Sequence, residues 1–277
     1  MSAALVFALL VLLCLAVVVW LLSTPWRVAW RRLRLRQRPF PAEWRRVLRQ
    51  RVPLVARLPA DLQGQLKKQM QVFLAEKPFI ACQGLELTDE MRVVVAAQAC
   101  LLLLNRPGRC FPQLRQILLY PTPFWVDRVR HGAAGVVHEQ RQILTGESWQ
   151  QGQVVLSWPD VLAGAQDPGD GHNVVIHEFA HQLDQENGVA NGAPWLGSAG
   201  RQHEWERVMR TEYAALRARL AAGQEDLLDA YGATEPAEFF AVASEVFFER
   251  GAELAARHPA LHRQLSLCYG VDPSSWA

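Results

Sequence analysis

The chain has 277 residues, half of them hydrophobic, and a formal net charge of +2. That length supports a real core in one large domain or two small ones, and the near-neutral balance gives no global case for nucleic acid as a partner. The five cysteines (Cys14, Cys82, Cys100, Cys110 and Cys268) are odd in number, scattered and without a C-x-x-C pair, so neither a disulfide framework nor a cysteine zinc site is expected.

The first element is an apolar run, Ala3–Leu22, with no charge in it. About 20 such residues are what a helix needs to cross a bilayer core. Arginines follow it at positions 27, 31, 32, 34, 36 and 38, and Trp20, Trp26 and Trp30 bracket its end, where amphipathic rings favour the membrane interface. A cleaved signal peptide carries its positive charge before the apolar stretch and small residues after it, the reverse of this order. We therefore expect an uncleaved single-pass membrane anchor over residues 1–24, with the arginines and everything after them on the cytoplasmic side. The alternative is a soluble cytoplasmic protein. Residues 25–58 read as a basic juxtamembrane linker, suited to anionic lipid heads.

Residues 59–277 read as one domain. Within residues 39–53, Glu43 to Leu48 can open a short helix. Leu62, Leu66, Met70 and Phe73 recur at helical spacing after Pro59, and Pro78 ends that helix. Phe79 to Cys82 is an extended candidate, and Thr88 is placed to cap a very apolar helix over residues 91–104. Residues 117–121 and 124–126 read as strands around a proline turn, and residues 152–159 as another. A small sheet thus precedes a loop, residues 167–171, and then a helix from Asn173 closed by Asn187 and Gly188. After a loop reaching Gly200 the chain reads as helical: 204–220, 236–250, and 254–269 interrupted near Pro259.

The chemistry lies in the helix from Asn173. It contains His177-Glu178-Phe179-Ala180-His181, a complete H-E-x-x-H. Residues four apart share a helix face, so the two imidazoles can hold one metal ion, usually zinc, and the intervening glutamate can take a proton from water. A catalytic zinc keeps a third protein ligand and one open position. Asp184 shares the histidine face, but is better placed to accept a hydrogen bond from a ligand imidazole than to ligate. Glu238 and Glu245, seven residues apart on a later helix, can each reach the metal, and spacing alone does not choose between them. A strand before the motif helix suits a peptidase, because an extended peptide can pair along a sheet edge.

Three strings together resemble the MtfA (Mlc titration factor A) family, bacterial zinc peptidases of the gluzincin type. They are His177-Glu178-Phe179-Ala180-His181-Gln182-Leu183-Asp184, then Asp229-Ala230-Tyr231 running on to Pro236-Ala237-Glu238-Phe239-Phe240, and finally Ser244-Glu245-Val246-Phe247-Phe248. The resemblance covers roughly residues 60–270. It implies zinc on His177, His181 and Glu238, Glu178 as general base, and Tyr231 as a catalytic tyrosine donating to the oxyanion. It implies an α+β, zincin-like metallopeptidase domain of a small sheet plus helices, here behind one transmembrane helix. The expected activity is hydrolysis of peptides, aminopeptidase-like on small substrates, with a link to an Mlc-like transcriptional repressor. The rival expectation is a non-catalytic protein that sequesters a transcription factor at the membrane. Members of the family are soluble, so the apolar N-terminus and arginine cluster depart from the pattern.

Overall fold

A computed structural model describes residues 3–106, 110–122 and 152–276, together with the backbone of 124–131, 137–144 and 146–149. The chain divides into two compact units, Met1–Pro39 and Phe40–Ala277.

The first unit is two helices, α1 (Ala3–Leu22) and α2 (Thr24–Gln37). Among the described residues, α1 is the one helix long and apolar enough to cross a membrane, with a mean hydropathy of 3.3. Its 20 residues span about 30 Å at about 1.5 Å per residue, the thickness of a hydrocarbon core. At its end the Trp20 carbonyl accepts from Ser23 Oγ (2.9 Å), Thr24 Oγ1 (3.2 Å) and the Arg27 guanidinium (3.0 Å). These donors serve a terminal carbonyl that the helix ladder leaves over. Pro25 fits the first turn of α2, where its missing N–H costs nothing.

The second unit opens with α3 (Ala42–Arg51), α4 (Leu54–Arg57) and α5 (Ala60–Glu76). Residues 40–58, which composition assigned to the linker, fold with this unit: Leu48, Val52, Leu54, Val55 and Leu58 are buried in its core. Arginines at positions 45, 46, 49 and 51 hide that apolar face in the sequence, and Arg51 pairs with Glu90 at 3.0 Å. Next come β1 (Phe79–Ala81) and α6 (Asp89–Leu101), whose start is capped by Thr88 accepting from the Met91 N–H. The strands are β2 (Gln116–Tyr120), β3 (Phe124–His131), β4 (Val137–Leu144), β5 (Gly146–Trp149) and β6 (Gln153–Ser157).

The main sheet has the order β1-β2-β6-β5. β1, β2 and β6 run parallel and β5 antiparallel to β6 along one edge. The alternation Ile117, Leu119 in β2 and the run Val154, Val155, Leu156 in β6 are what a strand covered by helices needs. β3 does not join this sheet across the Pro121 turn; it pairs with β4 in a separate antiparallel ribbon. Each step from one parallel strand to the next carries an intervening segment, as parallel pairing requires.

Helices α7 (Trp158–Gln166), α8 (Val174–Asp184), α9 (Ala199–Ala221), α10 (Pro236–Glu249), α11 (Gly251–Arg257) and α12 (Pro259–Tyr269) complete the unit. It is a mixed helical and small-sheet fold. α8 carries the H-E-x-x-H motif and packs against α6, α7 and α10 and against the strands β5 and β6. Asn173 caps it, its side chain accepting from the Ile176 N–H, and Gly188 at φ 100° ends the 3-10 turn after it. Val175, Ile176, Phe179, Ala180 and Leu183 face the core. The Phe179 ring meets Phe111 at 4.8 Å and Phe73 at 5.7 Å between centroids. The core side of α8 is thereby fixed, and His177 and His181 meet α10 on another side.

Candidate metal centre

The three atoms His177 Nε2, His181 Nε2 and Glu238 Oε2 form a nearly equilateral triangle. Its sides are 3.2 Å between the two imidazole nitrogens and 3.0 and 3.3 Å from these to the carboxylate oxygen. Tetrahedral ligands at the usual zinc distances stand about 3.3 Å apart, so the triangle has the size of one face of a zinc site. Among the described residues this is the one group of three metal-type ligands gathered so closely. The donor set of two imidazoles and a carboxylate suits a divalent transition metal such as zinc.

The electrostatics point the same way. Burial favours the neutral imidazole of His177, but the Glu245 and Glu238 carboxylates, with Glu178 beyond them, hold its pKa well above the ordinary histidine value. Burial would raise the Glu238 pKa, yet its hydrogen bonds to His177 and His181 and their charge hold it well below the carboxylate range. The cluster is a buried place that attracts positive charge, as a site for a divalent cation must be.

The structure separates the two glutamates of α10. Glu238 sits at the triangle, whereas Glu245 lies behind His177, its Oε1 2.7 Å from Nδ1. An Nδ1–H donated to Glu245 leaves the Nε2 lone pair aimed at the triangle. The other oxygen of Glu245 accepts the Asn173 N–H at 2.5 Å. The Asn173 amide donates in turn to Glu249 Oε1 (2.9 Å) and to the Gly164 carbonyl (3.0 Å), and Glu249 Oε2 accepts the Gly171 N–H. Three carboxylates of α10 thus hold the start and the first histidine of α8.

Asp184 departs from expectation. Its buried carboxylate does not serve an imidazole; it accepts the N–H groups of Gly192 (2.7 Å) and Ala193 (2.8 Å). Sharing a helix face with His181 set where Asp184 points, but the returning loop offered it better donors. The Gly192 carbonyl accepts from Trp205 Nε1 at 2.8 Å, so α9 grips the same loop. Gly192 has φ +74°, and a Cβ there would lie 2.3 Å from the Pro236 carbonyl oxygen, two residues before Glu238. Only glycine lets that loop reach the start of α10.

Tyr231 lies on the 3-10 turn Ala230–Ala233, whose start is capped by Asp229 accepting the Tyr231 N–H at 2.7 Å. Its ring centroid is 6.0 Å from that of His177, so the structure brings it beside the triangle. Glu178 is buried on α8 at 4% exposure, and its charge is felt at His177. Sequence reasoning places Asn173 at a helix start but does not single out Asn173 or Glu249 as supports of the site. The only available signal was an asparagine at a helix start and a third glutamate four residues beyond Glu245.

Glu249 carries a pH dependence. Burial first, then the nearby charges of Asp170 and Glu245, push its carboxyl up to about 8 from an ordinary 4.5. A raised folded pKa gives stability that is complete below the unfolded value and is lost as pH rises through the folded one. The loss therefore falls between pH 4.5 and about 8, at no more than about 1.4 kcal/mol per pH unit. Thermal unfolding across pH 5 to 8 is expected to show a steeper decline in the unaltered chain than in Glu249→Gln; parallel curves would mean that Glu249 is already ionised in the fold.

Residues 27–270 match the family described as Glucose-regulated metallo-peptidase M90. An uncharacterized protein of Synechocystis sp., slr2042, is 39% identical over 267 residues, covering 96% of this chain and 97% of its own. The Mlc titration factor A of Salmonella agona is 37% identical over 227 residues, covering 80% of this chain and 84% of its own. That of Klebsiella pneumoniae is 38% identical over 228 residues with the same coverage. The Synechocystis match leaves about 4% of this chain outside it, fewer residues than the 20 of α1. At least half of the apolar helix is therefore inside that match.

Proposed function

The chain belongs to the glucose-regulated metallopeptidase family M90 and is similar to the Mlc titration factor A proteins over 80% of its length, and from that premise we propose that it is a zinc-dependent peptidase of zincin-like architecture. The observation that carries the proposal is the triangle of His177, His181 and Glu238 with a buried Glu178 on the same helix. His177, His181 and Glu238 would hold the zinc, which would supply Lewis acidity for lowering the pKa of water and polarising a peptide carbonyl. Glu178 accepts a proton from the attacking water and passes it to the leaving amine. The Tyr231 hydroxyl donates to the carbonyl oxygen as negative charge grows there. Glu245 fixes the orientation of His177 and the proton on its Nδ1. β5 ends the sheet next to α8, and an extended peptide pairing along that edge is carried past the triangle. The substrates we assign are short peptides, cleaved in an aminopeptidase-like manner.

The name of the MtfA relatives favours a second reading, a non-catalytic protein that sequesters an Mlc-like transcriptional repressor. A repressor can also be a regulatory partner of the active peptidase. We place the protein in a bacterial inner membrane through α1, with the chain after it on the cytoplasmic face because of the arginines.

The deciding experiment is metal analysis of the purified chain together with hydrolysis of amino-acid anilides and short peptides. A chelator is expected to abolish activity and stoichiometric zinc to restore it. Undiminished turnover after complete removal of metal would exclude the mechanism.

A further inference from the structure

The basic segment after the apolar helix is itself a helix, and its side chains sort by face. Trp26, Trp30 and Leu33 stand at positions i, i+4 and i+7 of α2, on one side. They are 80%, 58% and 50% exposed. One residue further round the helix, Arg27, Arg31 and Arg34 form a parallel stripe, and Arg32 and Arg36 lie on the other flank of the aromatic face. The Arg34 guanidinium carbon lies 3.6 Å from the Trp30 ring centroid, and that of Arg27 lies 4.6 Å from Trp20. Charge and indole are thus held side by side along the helix.

A linker that only marked topology would need the arginines and no aromatic stripe. An aromatic and leucine stripe bordered by arginines is the pattern of a helix lying in the plane of a membrane interface. We propose that α2 is such an interfacial helix and that its partner is the anionic headgroup layer of the bilayer that α1 enters. The proposal rests on the membrane reading of α1. Two features identify the occupant. The chain has six arginines and no acidic residue before Glu43, which complements a negative surface. α2 also follows α1 after a single residue, Ser23, so it emerges where headgroups begin. Trp26 and Trp30 would sit at the acyl boundary while the arginines reach phosphates.

The test uses the full chain with vesicles of phosphatidylcholine alone and of phosphatidylcholine with about one-third phosphatidylglycerol, a composition rich in anionic lipid. Trypsin cuts after arginine, so cleavage within residues 27–38 of the outward-facing fraction, mapped by mass spectrometry, reports whether α2 is covered. Cleavage there is expected to be about tenfold slower on the anionic vesicles, with high salt removing most of the difference. Trp26→Ser with Trp30→Ser leaves every cleavage site in place and is expected to reduce the protection. Equal cleavage on both vesicles overturns the proposal, as does stronger protection by a short RNA duplex than by phosphatidylglycerol. Flotation separates this from the reading of α1. A chain that floats only with anionic vesicles keeps α2 on lipid and loses the membrane span, and a chain that floats with neither refutes both.

Discussion

Glu178→Gln is expected to lose peptide hydrolysis by at least about 10²- to 10⁴-fold in kcat, the usual contribution of a positioned general base, with KM little changed. The amide matches the carboxylate in shape but cannot take a proton from water at neutral pH. Glu178 is buried on α8 directly after His177 and is not a corner of the triangle, so the variant is expected to keep its metal. The charge it removes is one of several that raise the His177 pKa, and the larger contributions of Glu245 and Glu238 remain. Metal content by mass spectrometry and the unfolding midpoint should therefore stay close to those of the unaltered chain while turnover collapses. This variant also separates the two functional readings. If the protein acts only by sequestering a repressor, Glu178→Gln leaves the cellular phenotype intact. Hydrolysis within about threefold of the unaltered chain, less than 1 kcal/mol in barrier, would remove Glu178 from the chemistry.

How much of this was legible beforehand depends on the range of the interaction. The motif helix and its caps are local, and Asn173, the periodic Val175, Ile176, Phe179 and Leu183, and Gly188 each announce themselves within a turn or two. The third corner of the triangle is not local. Glu238 and Glu245 are seven residues apart on one helix face, and spacing is blind to which of them meets the imidazoles. The packing of α10 against α8 decides it, putting one glutamate on Nε2 and the other on Nδ1 of the same ring. Family resemblance favours Glu238, and the role of Glu245 follows from the distances. Asp184 differs from expectation for the opposite reason. Its position on the helix was right, and a loop eight residues downstream supplied donors that helix geometry cannot foresee. The start of β3 is legible at residues 124–126, but its continuation, the strand β4 and the edge strand β5 are not, because stretches such as His138, Glu139, Gln140 and Arg141 lack an apolar alternation. α9 begins at Ala199, capped by Ser198, five residues before the periodic stretch that marked it. In α2 and α3, arginines conceal the faces carrying Trp26, Trp30 and Leu48, since a run of charge reads as solvated chain.

The division of labour on α10 leads to the second large effect, in metal affinity. Glu238→Ala removes a corner of the triangle and is expected to leave the dialysed protein essentially without zinc. Apparent zinc free energies of about 10–16 kcal/mol in well-formed sites, shared over their ligands, make each ligand worth more than about a hundredfold in affinity. Glu245→Gln should behave differently. Both Glu245 oxygens accept a donor, one from His177 Nδ1 and one from the Asn173 N–H. An amide has a single acceptor oxygen, so one donor faces its NH2 group: either His177 loses the acceptor that fixes its tautomer or the Asn173 N–H at the start of α8 is left unpaired. The expected cost is about 10–100-fold in affinity, with stoichiometric metal recovered at higher zinc. Competition with a calibrated chelator measures both variants on one scale. Calorimetric unfolding of each apo protein identifies any loss that comes from the fold instead. The order of the two effects is the decisive quantity. If Glu245→Gln proved the more damaging and Glu238→Ala still held zinc, the metal would have to rest on Glu245 and the triangle would be a hydrogen-bonded cluster with no coordinating role.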